Sequence, residues 1–137
     1  MSAARLSLHD YRALADFRYQ LRRFLSFSNE AARAAGLEPR QHQLLLAVKG
    51  MPEGVEATVG TIAERLQTQH HSTVELVDRA ELAGLVRRTP DARDARLVRV
   101  RLTAKGERIL NELTPAHLVE LHSLSAVLDE LVAEVTP

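Results

Sequence analysis

Gln69-His70-His71-Ser72-Thr73-Val74-Glu75-Leu76-Val77-Asp78-Arg79-Ala80-Glu81-Leu82-Ala83-Gly84-Leu85-Val86-Arg87-Arg88 decides the fold, because its period changes partway along. From Gln69 to Ala83 the spacing predicts a helix with Val74, Val77 and Ala80 on its buried side. His71, Ser72, Glu75 and Arg79 then share the opposite face. Gly84 ends the helix, and Leu85-Val86-Arg87-Arg88 reads as a strand. Thr89-Pro90-Asp91-Ala92-Arg93-Asp94-Ala95 is turn material. In Leu97-Val98-Arg99-Val100-Arg101-Leu102, the residues Val98, Val100 and Leu102 alternate with Leu97, Arg99 and Arg101, which is the pattern of a half-buried antiparallel strand.

Upstream, Thr58 is placed to cap a short helix, Val59 to Leu66, with Ile62, Ala63 and Leu66 inward, and Gln67-Thr68 makes a brief turn. Gly50, Pro52 and Gly54 mark a loop. Pro39 opens a helix that runs to about Lys49 and carries Leu44, Leu45, Leu46 and Val48. A first helix is expected over 10–35, its apolar seam formed by Leu14, Phe17, Leu21, Phe24, Ser28, Ala31 and Ala35. Downstream, Thr103 is an expected N-cap, and Pro115 starts or kinks a last helix bearing Leu118, Leu121, Leu124, Leu128, Leu131 and Val135. That stripe is too wide for a solvated helix in a chain this small, and a partner subunit is its simplest cover.

Two short helices, a tight turn and a basic hairpin make the order of a winged helix-turn-helix. The expected fold is mainly α with a small β-hairpin wing, as one domain over 1–137. Dimerisation helices lie at 10–35 and 104–137, and the winged helix at 39–102. Charge agrees with the order. The net charge is +0, yet Arg87 to Arg108 holds eight bases (Arg87, Arg88, Arg93, Arg96, Arg99, Arg101, Lys105, Arg108) against three acids. From Ile109 onward there are five acids and no Lys or Arg. Such segregation suggests one electropositive segment that meets a polyanion, the alternative being a solvated face that is basic; with the helix order, double-stranded DNA is the expected partner. A helix N-terminus such as Gln69, His70, His71, Ser72 and Thr73 fits a major groove and offers unpaired N–H groups to phosphate. Glu75 can accept from a cytosine amino group, repel phosphate, or pair with Arg79 one turn on. Arg93 and Arg96 at the hairpin tip suit a narrow minor groove. Asp91 and Asp94 are expected to hold the tip and its arginines in one geometry. Arg87, Arg88, Arg99 and Lys105 are the expected phosphate contacts.

The sequence resembles the MarR family of bacterial transcription regulators. The resemblance rests on Ser72-Thr73-Val74-Glu75-Leu76-Val77-Asp78-Arg79, Ala83-Gly84-Leu85-Val86-Arg87-Arg88, Asp91-Ala92-Arg93-Asp94-Ala95-Arg96 and Leu102-Thr103-Ala104-Lys105-Gly106. Leu37-Glu38-Pro39 also looks like the family's approach to its second helix. It implies a homodimer, a palindromic operator, usually repression, and release by a small, often aromatic effector. It places Arg93 in the minor groove, with Asp91 and Asp94 orienting it and Arg96. Departures from the pattern are Glu75 where a base is common, Ala80 where a large aliphatic is usual, and Glu38 in place of a hydroxyl cap. Among ligand contacts His42 is the candidate. The alternatives are a winged helix without ligand response and a protein–protein interaction module.

Other classes have little footing. With no cysteine there is no disulfide framework, thiolate metal site or peroxide-sensing thiol. His70 and His71 point about 100° apart on a helix, and His117 and His122 are five apart, so neither pair chelates well, and no metal or cofactor is expected. There is no phosphate loop or nucleophile motif, so an enzyme is not expected. Tyr11, Phe17, Tyr19, Phe24 and Phe27 all fall in the first helix, as interface or as lining for an aromatic ligand. No apolar run approaches the roughly 18 residues of a membrane span, and MSAARLSLHDYR lacks a signal-peptide core, so a cytoplasmic site is expected.

Overall fold

The computed structural model describes residues 5–137. The first four residues of the stretch tested for a signal peptide, and of the 1–137 domain span, lie outside the described residues. Five helices and one hairpin follow in order: α1 Leu8–Ala34, α2 Pro39–Lys49, α3 Val59–Leu66, α4 His70–Leu82, β1 Val86–Pro90, β2 Val98–Leu102 and α5 Ala104–Glu134. The chain divides into two compact units, one of Ala32–Leu113 and one formed by its two ends, Met1–Ala31 with Thr114–Pro137. The first takes in more than the 39–102 delimited from the sequence, because α5 begins inside it: Gly106, Leu110 and Leu113 are buried. No helix of the described residues is long and apolar enough to cross a membrane.

The central unit is built around Leu44 and Leu45 of α2, Ile62 of α3, Leu76 and Val77 of α4, Leu85, Val86 and Val100, all at most 2 % exposed. Each such side chain contributes about 1.5–3 kcal/mol through burial. Val74 is only half-buried, so Leu76 takes the inward position assigned to it. Leu46 is 52 % exposed, on the outer side of α2. Glu38 precedes α2 with its N–H donating to Gln41 Oε1 at 3.0 Å, one half of a capping box. Thr58 caps α3, its Oγ1 accepting from Thr61 N at 3.2 Å.

The hairpin pairs Val86 with Leu102, Arg87 with Arg101, Arg88 with Val100, Thr89 with Arg99 and Pro90 with Val98. Val86 and Val100 sit on its inner face, but Val98, expected there, is 40 % exposed, because its rung with Pro90 lies beyond the core. Ala57 O accepts from Val100 N at 2.7 Å and adds one rung on the outer edge of β2. Two glycines set how closely the hairpin's base is held. Gly84, at φ +76°, takes the left-handed conformation that turns the chain from α4 into β1. Gly106 is packed so tightly that a Cβ would stand 2.2 Å from Leu85 O. Thr103 caps α5: its Oγ1 accepts from Gly106 N at 3.1 Å and donates to Gly84 O at 2.5 Å.

Pro115 lies inside α5, so it neither starts a separate helix nor ends one. In the unit of chain ends, Asp10 is 7 % exposed and ties the termini together. It accepts from Ser7 N at 2.9 Å, Thr136 N at 2.8 Å and Thr136 Oγ1 at 2.7 Å. Those bonds, the one from Thr136 N foremost, hold its carboxyl far below the usual range. His117 meets Ser28 Oγ at 2.9 Å and packs against the rings of Phe24 and Phe27.

Candidate nucleic-acid interface

The turn between α3 and α4 is held from within. Gln67 closes α3 in the left-handed region, φ 54°, and its side-chain amide donates to Glu64 O at 2.8 Å. Thr68 N donates to Ala63 O at 3.0 Å. Thr73 is fully buried, its hydroxyl 2.8 Å from Thr68 Oγ1 and donating to Gln69 O at 2.9 Å. Thr73 therefore pins α4 to the turn, its side chain buried and not outward with the rest of the first turn, as the sequence reading had grouped it.

Gln69, His70 and His71 are exposed and Ser72 is half-buried, so the first turn of α4 presents its polar side outward. Thr73 N is the first amide of the helix to find a backbone acceptor, Gln69 O at 3.0 Å. The amides before it are the orphan donors that make a helix N-terminus favourable to phosphate. Glu75 meets His71 Nε2 at 3.2 Å and not Arg79. Arg79 instead pairs with the Glu38 carboxylate at the head of α2.

The basic residues of the hairpin sort into two groups. Arg88 is held by Asp78 at 2.6 Å and Glu81 at 3.0 Å, and its backbone N–H also donates to Glu81. Arg99 is held by Asp91 at 2.8 Å and Glu56 at 3.3 Å. Lys105 Nζ donates to Ala83 O at 2.8 Å, satisfying a carbonyl at the end of α4. All three are engaged within the fold, a tie that the sequence reading of them as phosphate contacts did not include. Arg87, Arg93, Arg101 and Arg108 are exposed, and among the described residues no acid holds their guanidinium groups. Arg87 and Arg101 stand directly opposite each other across the hairpin. Like charges in that position destabilise a strand pair unless an anion lies between them. Arg101 was not singled out from the sequence, although strand alternation with Arg99 was the available signal; only the register reveals its partner.

At the tip, Asp91 is 8 % exposed. It accepts from Arg93 N at 2.6 Å and Asp94 N at 3.3 Å, while its other oxygen takes Arg99 Nε at 2.9 Å. Its carboxyl is lowered, first by the Arg93 amide and next by Arg99. Asp94 is lowered by Arg96, whose Nε and Nη2 both donate to it at 3.1 Å. Asp91 thus fixes the backbone of Arg93 and also the side chain of Arg99, and Asp94 fixes Arg96. The Arg93 guanidinium is left to project.

His42 is 4 % exposed in α2, so it faces the interior of the unit, not an open cleft. In the unit of chain ends, a cleft of about 490 Å³ is lined by Arg23, Phe24, Phe27, Glu120 and Leu124, among others. Among the described residues no three His, Asp or Glu side chains gather in a metal-binding group.

The family model described as MarR family matches residues 35–97. The HTH-type transcriptional regulator YsmB of Bacillus subtilis is 34 % identical over 58 residues, 42 % of this chain and 40 % of that protein. The chain thus spans well under two thirds of the curated relative it matches. The structure of a MarR family protein from Bacillus stearothermophilus is 30 % identical, covers 83 % of this chain and 80 % of that one, and superposes with a TM-score of 0.62. CouR from Rhodococcus jostii RHA1, solved bound to p-coumaroyl-CoA, is 28 % identical over 71 % of this chain and 66 % of its own, with a TM-score of 0.61.

Proposed function

The chain belongs to the MarR family of transcription regulators, and from that premise we propose that it is a homodimer that binds palindromic DNA operators and represses transcription. The observation that carries the reading is the pairing of an outward-facing α4 N-terminus with Arg87, Arg93 and Arg101 left without acids on the adjoining hairpin. The helix enters the major groove, with Gln69, His70, His71, Ser72, Glu75 and Arg79 along it. Arg93 enters the flanking minor groove, Arg96 stands beside it on Asp94, and Arg87 and Arg101 grip phosphate between them. A protein–protein module gives no reason to place two arginines face to face.

The dimer reading is supported by the ends of the chain. Leu8, Tyr11, Leu14, Leu118, Val119, Leu121 and Val132 are each more than half exposed in a single copy. Apolar surface on that scale marks an interface. Two-fold symmetry then sets half-sites about 10 base pairs apart, centre to centre.

Release by a small effector is supported by the cleft beside Phe24 and Phe27. Its two rings and the Arg23 guanidinium suit an aromatic acid, and the related CouR was solved with an aromatic thioester. An effector lowers DNA affinity only by its preference for the DNA-incompatible state. Selection of genomic fragments with the purified chain, followed by a screen for compounds that release the selected site, tests the whole reading. Failure to enrich any fragment above random DNA refutes it.

A further inference from the structure

Resting on the DNA-binding reading, we propose that His71 and Glu75 form a two-residue unit that selects a cytosine in each half-site, His71 acting as the positioning residue and Glu75 as the contact. Both side chains are open, 82 % and 61 % exposed, on the first two turns of α4. The other acids of that helix, Asp78 and Glu81, are both held by Arg88. Arg79, the cation one turn beyond Glu75, is held by Glu38. Glu75 is therefore the α4 acid that no arginine neutralises. A bare carboxylate carried toward phosphates is repelled, so its retention there needs a compensating contact.

The geometry supplies one. His71 Nε2 lies 3.2 Å from Glu75 Oε1, one turn back on the same helix, close enough to restrain the carboxylate along it. Among the described residues no donor occupies Oε2. A cytosine edge offers an N4 amino donor beside an apolar C5–H, which suits that oxygen. Adenine offers an amino group beside the N7 acceptor, which repels a carboxylate; thymine and guanine present carbonyl acceptors. Of the four bases, cytosine is thus the one that satisfies Oε2 without a penalty.

The test uses the full chain and its H71A, H71Q, E75A and E75Q variants, all at exposed positions that leave the core intact. Each selects duplexes from a random pool, and affinities are measured at one salt concentration by fluorescence anisotropy. The wild type is expected to select a site in which replacing one cytosine per half-site weakens binding about 5- to 150-fold. E75Q is expected to move that position from cytosine to adenine, because a glutamine amide matches the adenine donor and acceptor together. E75A loses the preference. H71A loses most of it, and H71Q, whose amide can still donate to Oε1, retains it. The proposal is overturned if E75Q or E75A selects the wild-type site, or if H71A discriminates as well as wild type. A wild-type chain that enriches no duplex overturns the DNA-binding reading itself, which is a separate and recognisable result.

Discussion

Replacing Gly106 with alanine is expected to be among the most damaging single-methyl additions the central unit can receive. The new Cβ would stand 2.2 Å from Leu85 O and 3.2 Å from Leu85 C, where real Cβ atoms keep at least 3.0 Å from such neighbours. Both are backbone atoms, so no side chain can swing aside. Leu85 O also accepts from Thr103 N at 3.0 Å, the bond that ties the base of the hairpin to the start of α5. Overpacking of this kind costs about 1–3 kcal/mol, and displacing the carbonyl costs about 1 kcal/mol more. The gain in helix propensity returns at most about 1 kcal/mol. The net loss is about 1–3 kcal/mol, a fall in Tm of roughly 3–15 °C for a chain of this size. Gly60, in α3, is the internal control: a Cβ there meets nothing nearer than Thr58 Oγ1 at 3.8 Å. G60A is expected to leave Tm unchanged or raise it slightly. Calorimetry of both variants decides the matter. A G106A melting point within about 2 °C of wild type, a shift worth under 1 kcal/mol, refutes the packing argument, as does an equal fall in G60A.

Three further outcomes follow from the same structure. Operator affinity measured against salt should lose about 0.9 of log–log slope for each phosphate contact removed in R87A or R101A, whereas R88A should leave the slope unchanged and lower stability; equal slopes in all three would dismiss the sorting of the arginines. Asp10, Asp91 and Asp94 all sit below the ordinary carboxylate range in the folded chain, so the stability they add is present above about pH 4 and is lost as pH falls through their lowered values. Urea midpoints should hold from pH 7 to 5 and drop by pH 3, less steeply in D10N, and a flat profile would contradict this. Charge placed on the open apolar surface, in L121E or V132D, should give a particle sedimenting near the 15.2 kDa of one chain, while wild type sediments at twice that; a monomeric wild type would end the dimer reading.

The elements were legible because each is announced locally. Thr58, Gly84 and Thr103 are boundary residues whose backbone requirements are written in their types, and the change from a helical to a strand period at Gly84 locates the hairpin. The partners of charged groups were not legible, since they depend on distance across the fold. Arg79 is closer in sequence to Glu75, yet Glu38, 41 residues away, takes it. Thr73 shares a helix face with Val77 and Ala80, four and seven residues on, so spacing places it inward, while its polar type alone drew it into the expected groove contacts. Pro115 passes within α5, although Thr114-Pro115 has the residue types of a helix start.

The internal neutralisation of Arg88, Arg96 and Arg99 bears on how the molecule would find its target in a cell. A regulator whose whole basic segment faced the duplex would adhere to any stretch of chromosome and spend its time there. Here Arg87, Arg93, Arg101 and Arg108 are the bases of that segment that no acid holds among the described residues, so on the DNA-binding proposal adhesion to bulk DNA would be weak. Occupancy of a promoter would then rest on the quality of the matched sequence more than on accumulated charge.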